Sequence, residues 1–200
     1  MLIVRLAERP LRTFFGCWRE VLYFDGRSES IALVYGDIDG RDKVPCRVHS
    51  ACLSAHVFNS IECDCREQMY MAQTSIQDRG RGVVIWLDQD GRGNGHLALM
   101  LAAKLSNEQA IAQTDAYRQL GYPDDRRRYD VAGAILSDLS VRSIILLSNN
   151  PDKRQSLVDS GVEVAGVEQI ALDLEEHPRL RPYYADKLSR GHIIGEVQRD

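Results

Sequence analysis

No apolar run in these 200 residues approaches the roughly 18 needed to cross a bilayer. The opening M-L-I-V-R-L-A-E-R-P also lacks the long apolar stretch of a secretion signal. Membrane contact is therefore not expected, and a reducing cytoplasm is the expected location. Positive charge is short as well: 25 Lys and Arg against 29 Asp and Glu leave a formal charge of -4. That excludes a nucleic-acid coat, which needs a broad basic surface. The chain lacks repeats, low-complexity tracts and any clear linker, so one sizeable core is expected. Cysteine is scarce and odd in number, with five in the chain. In a reducing compartment this favours metal over a disulfide framework.

Three of the five cysteines stand in one segment, R-V-H-S-A-C-L-S-A-H-V-F-N-S-I-E-C-D-C-R-E-Q from Arg47 to Gln68. Cys52, Cys63 and Cys65 have the spacing C-x10-C-x-C. Structural zinc sites close with four protein ligands, whereas three thiolates leave a place for water or substrate. The competing reading is that free cysteine is a common core residue, and period two would put Cys63 and Cys65 on one strand face without a metal. His49 and His56 are nearby donors, read here as hydrogen-bonding residues. Cys17 and Cys46 are expected as free thiols in or near the core.

Residues 1–50 read as short strands, L-I-V-R-L, F-F-G-C-W-R-E-V-L-Y-F, S-I-A-L-V-Y-G and V-P-C-R-V-H-S, an antiparallel opening separated by turn residues. Asp64 is expected to cap a helix over about 65–78. V-V-I-W-L then reads as a buried strand running into D-Q-D-G-R-G-N-G and a helix from about His96 to Leu105. Residues 106–127 read as a polar, irregular loop. A helix near 130–139, the strand V-R-S-I-I-L-L-S, a helix near 152–160 and the strand V-E-V-A-G-V complete an alternating half. The expected fold is α/β (α+β), a mixed sheet with antiparallel N-terminal strands and flanking helices. Residues 1–170 form the expected catalytic domain, and 171–200 a polar C-terminal tail whose patterned pieces are Y-Y-A-D-K-L and G-H-I-I.

Three loops carry possible chemistry. The glycines of D-G-R-G-N-G, from Asp90, could turn backbone N–H groups toward a phosphate, although neither a P-loop nor a dinucleotide motif is present. Asp125 and Arg127 point the same way if the backbone is extended there and the next helix starts later. S-N-N-P-D-K, from Ser148 to Lys153, follows a predicted strand, where α/β folds bind ligands. Arg47, Arg92 and Lys153 sit at loop or element ends, where a small polyanion can be gripped.

Together, R-V-H-S-x-C, C-D-C-x-x-Q, Q-D-G-R-G-x-G, Q-L-G-Y with D-x-R, L-S-N-N-P-x-K and Y-x-D-K followed by G-H resemble the GTP cyclohydrolase II family of the riboflavin pathway. The matches run in order over about residues 30–192. The resemblance implies one Zn²⁺ per chain on Cys52, Cys63 and Cys65. It implies contacts to GTP or a related guanine nucleotide from Arg47, Val48, His49, Ser50, Ala51, Gln68, Asp90, Gly91, Arg92, Ser148 and Lys153, and from Gln113 or its neighbour Thr114. Asp125 matches a proposed general base and Arg127 a proposed nucleophile toward the α-phosphate. Guanidinium is almost never neutral, so a phosphate clamp is physically easier for Arg127. Mg²⁺ on the triphosphate and a homodimer are implied too.

The implied reaction opens the imidazole ring at C8 with zinc-activated water and releases formate and pyrophosphate. Three positions depart from the family pattern: Ala51 and Asp90 each replace a glutamate, and Ala103 replaces a tyrosine. Tyr117 or Tyr122 could supply the missing phenol only from another loop. The alternatives are ring opening alone, giving a formamidopyrimidine nucleotide in a specialised, toxoflavin-like pathway, or a catalytically inactive nucleotide-binding paralogue.

Overall fold

Two-residue alternation in the strands sends side chains into two different layers, and this sets the architecture. The computed structural model describes residues 2–193. The strands are β1 (Val4–Thr13), β2 (Gly16–Phe24), β3 (Glu29–Tyr35), β4 (Val44–Ser50), β5 (Gly82–Leu87), β6 (Ser143–Leu147) and β7 (Glu163–Glu168). The helices are α1 (Leu53–His56), α2 (Cys65–Asp78), α3 (His96–Gln109), α4 (Gln113–Gln119), α5 (Asp130–Asp138), α6 (Pro151–Asp159) and α7 (Arg181–Ser189).

One seven-stranded sheet has the order β1-β2-β3-β5-β4-β6-β7. On one face Val21, Tyr23, Ala32, Val48 and Ile85 pack with Ile135 and Leu136 of α5 and Leu157 of α6. On the other, Trp18, Val84 and Leu147 pack with Ala72 and Ile76 of α2. Helices thus cover both faces, as a sheet with parallel strands requires.

The mixed sheet is the expected one, with β1, β2, β3 and β5 paired antiparallel in turn. β4 leaves the antiparallel opening and pairs parallel with β5 and β6, because α2 provides the crossover that parallel neighbours need. β1 extends well beyond L-I-V-R-L. It is an edge strand, so Pro10 removes no ladder bond that a central strand would need. Cys46 is buried, but Cys17 is exposed. Cys17 pairs with Arg12 near the β1–β2 turn, a tip where Phe14 is also 89% exposed.

The stretch expected to be irregular is half helical: α3 runs on to Gln109 and α4 occupies Gln113–Gln119. Ala98, Ala102, Ala116 and Tyr117 bury one another there, so packing between the two helices overrides a polar local sequence. The C-terminal stretch contributes α7, with Tyr184 and Lys187 buried. The last isoleucine of G-H-I-I lies outside the described residues.

Ile135 is fully buried beneath the sheet. Ile135→Ala is expected to lower unfolding stability by about 2–5 kcal/mol, measurable by chemical denaturation.

Candidate functional site

Three parallel strands end side by side and supply the floor of the site. β4 continues into Ala51 and Cys52, β5 into the loop of residues 88–95, and β6 into Ser148 and the start of α6. From β4 the chain passes to β5 on one side, and from β6 to β7 on the other. Such a reversal opens a crevice outside the carboxyl ends of the strands. A cavity of about 410 Å³ lies there, within the size range of small-molecule sites.

On its wall the sulfurs of Cys52, Cys63 and Cys65 lie within 4.8 Å of one another, with Cys52 and Cys63 at 3.8 Å. A tetrahedron with metal–sulfur bonds of about 2.3 Å has a sulfur–sulfur edge of about 3.8 Å, so the donors fit a single zinc ion. All three are free cysteines. Hydrogen bonds from Cys63 and Cys65 draw the Cys52 thiol well down, and Cys52 in turn pushes the other two up. Among the described residues no histidine or carboxylate joins this group. His49 and His56 instead meet edge to face at 5.0 Å, and His49 stacks on Trp86.

The rest of the wall is cationic. Arg47, on the α2 face of β4, is 4% exposed; it donates to the Leu147 carbonyl at 2.9 Å and to Gln68 Oε1. Lys153 reaches from α6 to the Val48 carbonyl at 2.8 Å. Burial lowers the pKa of Arg47, and burial followed by the Arg47 and Arg127 charges holds Lys153 well below the lysine range. An anion in the cavity would relieve both.

The glycine loop works differently from a phosphate cradle. The N–H of Gly91 donates to the Asp90 carboxylate, that of Gly93 to Gln89 and Asp90, that of Asn94 to Gly91 and that of Gly95 to Asp90. These donors are engaged inside the loop, because its turn closes on itself. The loop offers the cavity the side chain of Arg92, held in a left-handed conformation with φ 57°. Its guanidinium donates at 2.8 Å to Thr114 Oγ1 and to Asp186 Oδ2. Gly93 is needed for close approach: a Cβ there would lie 2.9 Å from the Arg126 backbone, where the Arg126 N–H bonds the Arg92 carbonyl at 2.8 Å.

That contact brings Arg127 to the wall. Its Nε donates to Asp125 Oδ1 at 3.0 Å and Oδ2 at 3.1 Å, and α5 begins beyond it at Asp130. Burial opposes the Arg127 charge, but the Tyr129 phenol and Asp125 outweigh it and raise the pKa. For Asp125, burial pushes up and the Arg127 bonds pull further down, so its pKa is lowered.

Arg47, His49, Ser50, Ala51, Gln68, Asp90, Gly91, Arg92, Gln113, Ser148, Lys153 and Arg127 line the cavity with the three cysteines. Val48 turns its side chain into the core on the opposite face, as alternation along β4 demands, and Asp125 sits behind Arg127. Thr114 lies behind Gln113, bonded to Asp186 at 2.8 Å. Ala103 is on the wall with Leu99 and Met100. Tyr117 is fully buried and its pKa is pushed up to about 12 by burial; it and Tyr122 belong to the α3–α4 cluster and do not line the cavity.

Sequence reasoning missed Tyr183, Lys187 and Arg190, all on the wall; Asp64 is the N-cap residue of α2, as expected, and its carbonyl accepts from the Gln68 N–H at 2.9 Å. The Asp64 side chain makes no capping bond to an α2 N–H, because the carboxylate is drawn to Lys187, Tyr184 and Gln68. The pattern Y-Y-A-D-K-L was visible, but nothing local says where such a helix docks.

The profile of the family described as GTP cyclohydrolase II matches residues 4–171. The chain is 42% identical over 173 residues to GTP cyclohydrolase-2 of Streptomyces coelicolor, covering 85% of this chain and 76% of that protein. It is 38% identical over 196 residues to riboflavin biosynthesis protein RibBA of Bacillus cereus, covering 96% of this chain and 49% of that protein. RibBA of Bacillus cytotoxicus is 36% identical over 195 residues, with 96% and 48% covered. The chain thus spans about half the length of the RibBA relatives it matches. A crystal structure of RibBX, a two-domain 3,4-dihydroxy-2-butanone 4-phosphate synthase from A. baumannii, aligns with a TM-score of 0.47 at 24% identity, covering 86% of this chain and 40% of that one.

Zinc titrated into metal-free protein is expected to bind at one equivalent and to protect Cys52, Cys63 and Cys65 from a thiol reagent. Cys63→Ser should lose stoichiometric binding; a variant that binds like the parent would exclude this cluster as the metal site.

Proposed function

The chain belongs to the GTP cyclohydrolase II family, and from that premise we propose that it is a hydrolase opening the imidazole ring of GTP at C8. Formate and pyrophosphate leave, and the product is a diaminopyrimidinone ribosylamino phosphate. The observation that carries this reading is the placement of a thiol triad and the buried cations Arg47 and Lys153 on one cavity wall.

Cys52, Cys63 and Cys65 would hold zinc, which would supply a Lewis acid for hydrolysis. The remaining work falls to the chain. Arg47, Arg92, Lys153 and Arg127 complement a triphosphate carrying Mg²⁺, mostly by positioning and charge neutralisation. His49, buried and beside the Arg47 guanidinium, is held neutral chiefly by burial and then by that charge. Its Nδ1 faces only donors on Arg47, so Nε2 carries the proton and can donate to a bound oxygen.

Arg127 acts as a phosphate clamp. A guanidinium whose pKa is raised has no free electron pair for attack. Asp125 holds it from behind with both carboxylate oxygens, which suits orientation better than proton abstraction.

A second reading, ring opening alone, is favoured by Ala103. That position faces the cavity and carries a methyl where the family pattern has a phenol. Tyr183 is the one tyrosine among the described residues lining the cavity. The product would then be a formamidopyrimidine nucleotide.

The catalytic unit in this proposal includes α7 as well as residues 1–170. A homodimer belongs to the same proposal, supported by exposed apolar side chains on α3, among them Leu97 at 68% and Met100 at 60%. No helix among the described residues is long and apolar enough to cross a membrane; a cytoplasmic location remains part of the proposal.

Zinc-loaded protein with GTP and Mg²⁺ should release formate and pyrophosphate, followed by mass spectrometry and coupled assays. Product retaining the formyl group would select the second reading, and Ala103→Tyr should then increase formate release. Bound zinc with no turnover of any guanine nucleotide would leave only nucleotide binding. Arg127→Lys is expected to reduce turnover by about tenfold or more; undiminished turnover would remove the bidentate clamp.

A further inference from the structure

Asp64 stands between Cys63 and Cys65 and is fully buried, at 0% exposure. A carboxylate withdrawn from water is strongly unfavourable unless paired and hydrogen-bonded. Its partners are specific. Lys187 Nζ donates to both oxygens, at 2.8 and 3.0 Å. The Tyr184 hydroxyl donates to Oδ2 at 2.8 Å, and Gln68 Nε2 at 2.7 Å. Gln68 in turn accepts from Arg47, so the network runs from the cysteine loop into the cationic wall.

Two of these partners come from α7, and α7 is tied down a second time. Asp186 accepts from Arg92 and Thr114, each at 2.8 Å. The two buried residues of this helix are Tyr184 and Lys187, so it offers no broad apolar stripe, and polar bonds hold it in place. Lys187 is only 7% exposed, lines the cavity and lies 4.3 Å from the Tyr183 ring centroid. A buried ion pair is seldom the most stable filling for a core, and an apolar pair of similar volume often does as well or better. The location of this one, between two members of the thiol triad, therefore calls for another reason.

We propose that Lys187 and Tyr184, acting through Asp64, are positioning residues for the metal centre. They pin the backbone between Cys63 and Cys65 so that both sulfurs converge on Cys52. Lys187 also brings a positive charge close to a centre where three thiolates leave a zinc unit at -1 and Asp64 adds another negative charge. The inference rests on the zinc reading above and adds that the C-terminal helix, distant in sequence, controls the quality of that site. Partners that orient metal ligands from behind typically change metal affinity by about 10–100-fold when removed.

The test uses zinc and cobalt alone as probes of the full chain. Zinc affinity is measured by competition with a chromophoric chelator, the Co²⁺-loaded protein by its sulfur-to-metal charge-transfer bands, and fold integrity by thermal unfolding of the metal-free protein. Lys187→Met is expected to weaken zinc binding by about 10–100-fold and to shift the Co²⁺ bands, and Lys187→Arg should restore most of both. If Lys187→Met does not fold, Tyr184→Phe carries the test, since with little change of volume it removes only the hydroxyl, which donates to Asp64 and accepts from the Leu172 N–H. It should weaken zinc binding and perturb the Co²⁺ spectrum while the metal-free protein remains folded and unfolds in one cooperative transition. Parent-like affinity and spectra in the folded variants would overturn the inference while leaving the zinc site in place. Failure of the parent chain to bind zinc would overturn both.

Discussion

Charge withdrawn from water has to be balanced within a few ångströms, and the site is an arrangement of such balances. Three sulfurs crowd together on one side of the cavity; Arg47 and Lys153 are buried on the same wall. Neither group is comfortable alone: the thiols crowd within hydrogen-bond reach of one another, and burial lowers the pKa of both cations. A divalent ion would resolve the first imbalance, and a polyanionic ligand the second. The chemistry proposed for the cavity follows from that pair of unmet requirements.

The sheet supplies the geometry that makes such balances possible. Its antiparallel part builds core on both faces, and its parallel part sets the carboxyl ends of β5, β4 and β6 side by side. Because β4 and β6 send the chain in opposite directions, loops that are distant in sequence open onto one crevice. Those loops then brace one another. Gly93 lets the Arg126 backbone approach the Arg92 turn, and α7 bridges the cysteine loop and the glycine loop through Asp64 and Asp186. An open crevice thereby acquires a wall from the C-terminal part of the chain.

Within that frame the side chains separate into gripping and bracing roles. Arg127 is the clearest case, a guanidinium fixed by Asp125 and kept charged, suited to holding phosphate. Ala103 is the opposite case, a position on the wall whose small side chain leaves the phenol to come from elsewhere or not at all. In the proposed reaction, that position is where full hydrolysis and an arrested ring-opened product would part.

The chain by itself determined the alternation of strands and helices, the odd cysteine group C-x10-C-x-C and the loops that follow buried strands, because each of these is encoded in neighbouring residues. Local pattern was enough for α2, β5, α5 and β6. It was insufficient for α4, whose polar residues become helical only through packing on α3. It also could not show that the glycine loop engages its own N–H groups, or that the side chain of Asp64, at the N-cap of α2, meets Lys187. Only the tertiary structure decided those points, since a buried carboxylate takes whichever partner the fold brings within hydrogen-bond reach, and that partner lies on a helix near the other end of the chain.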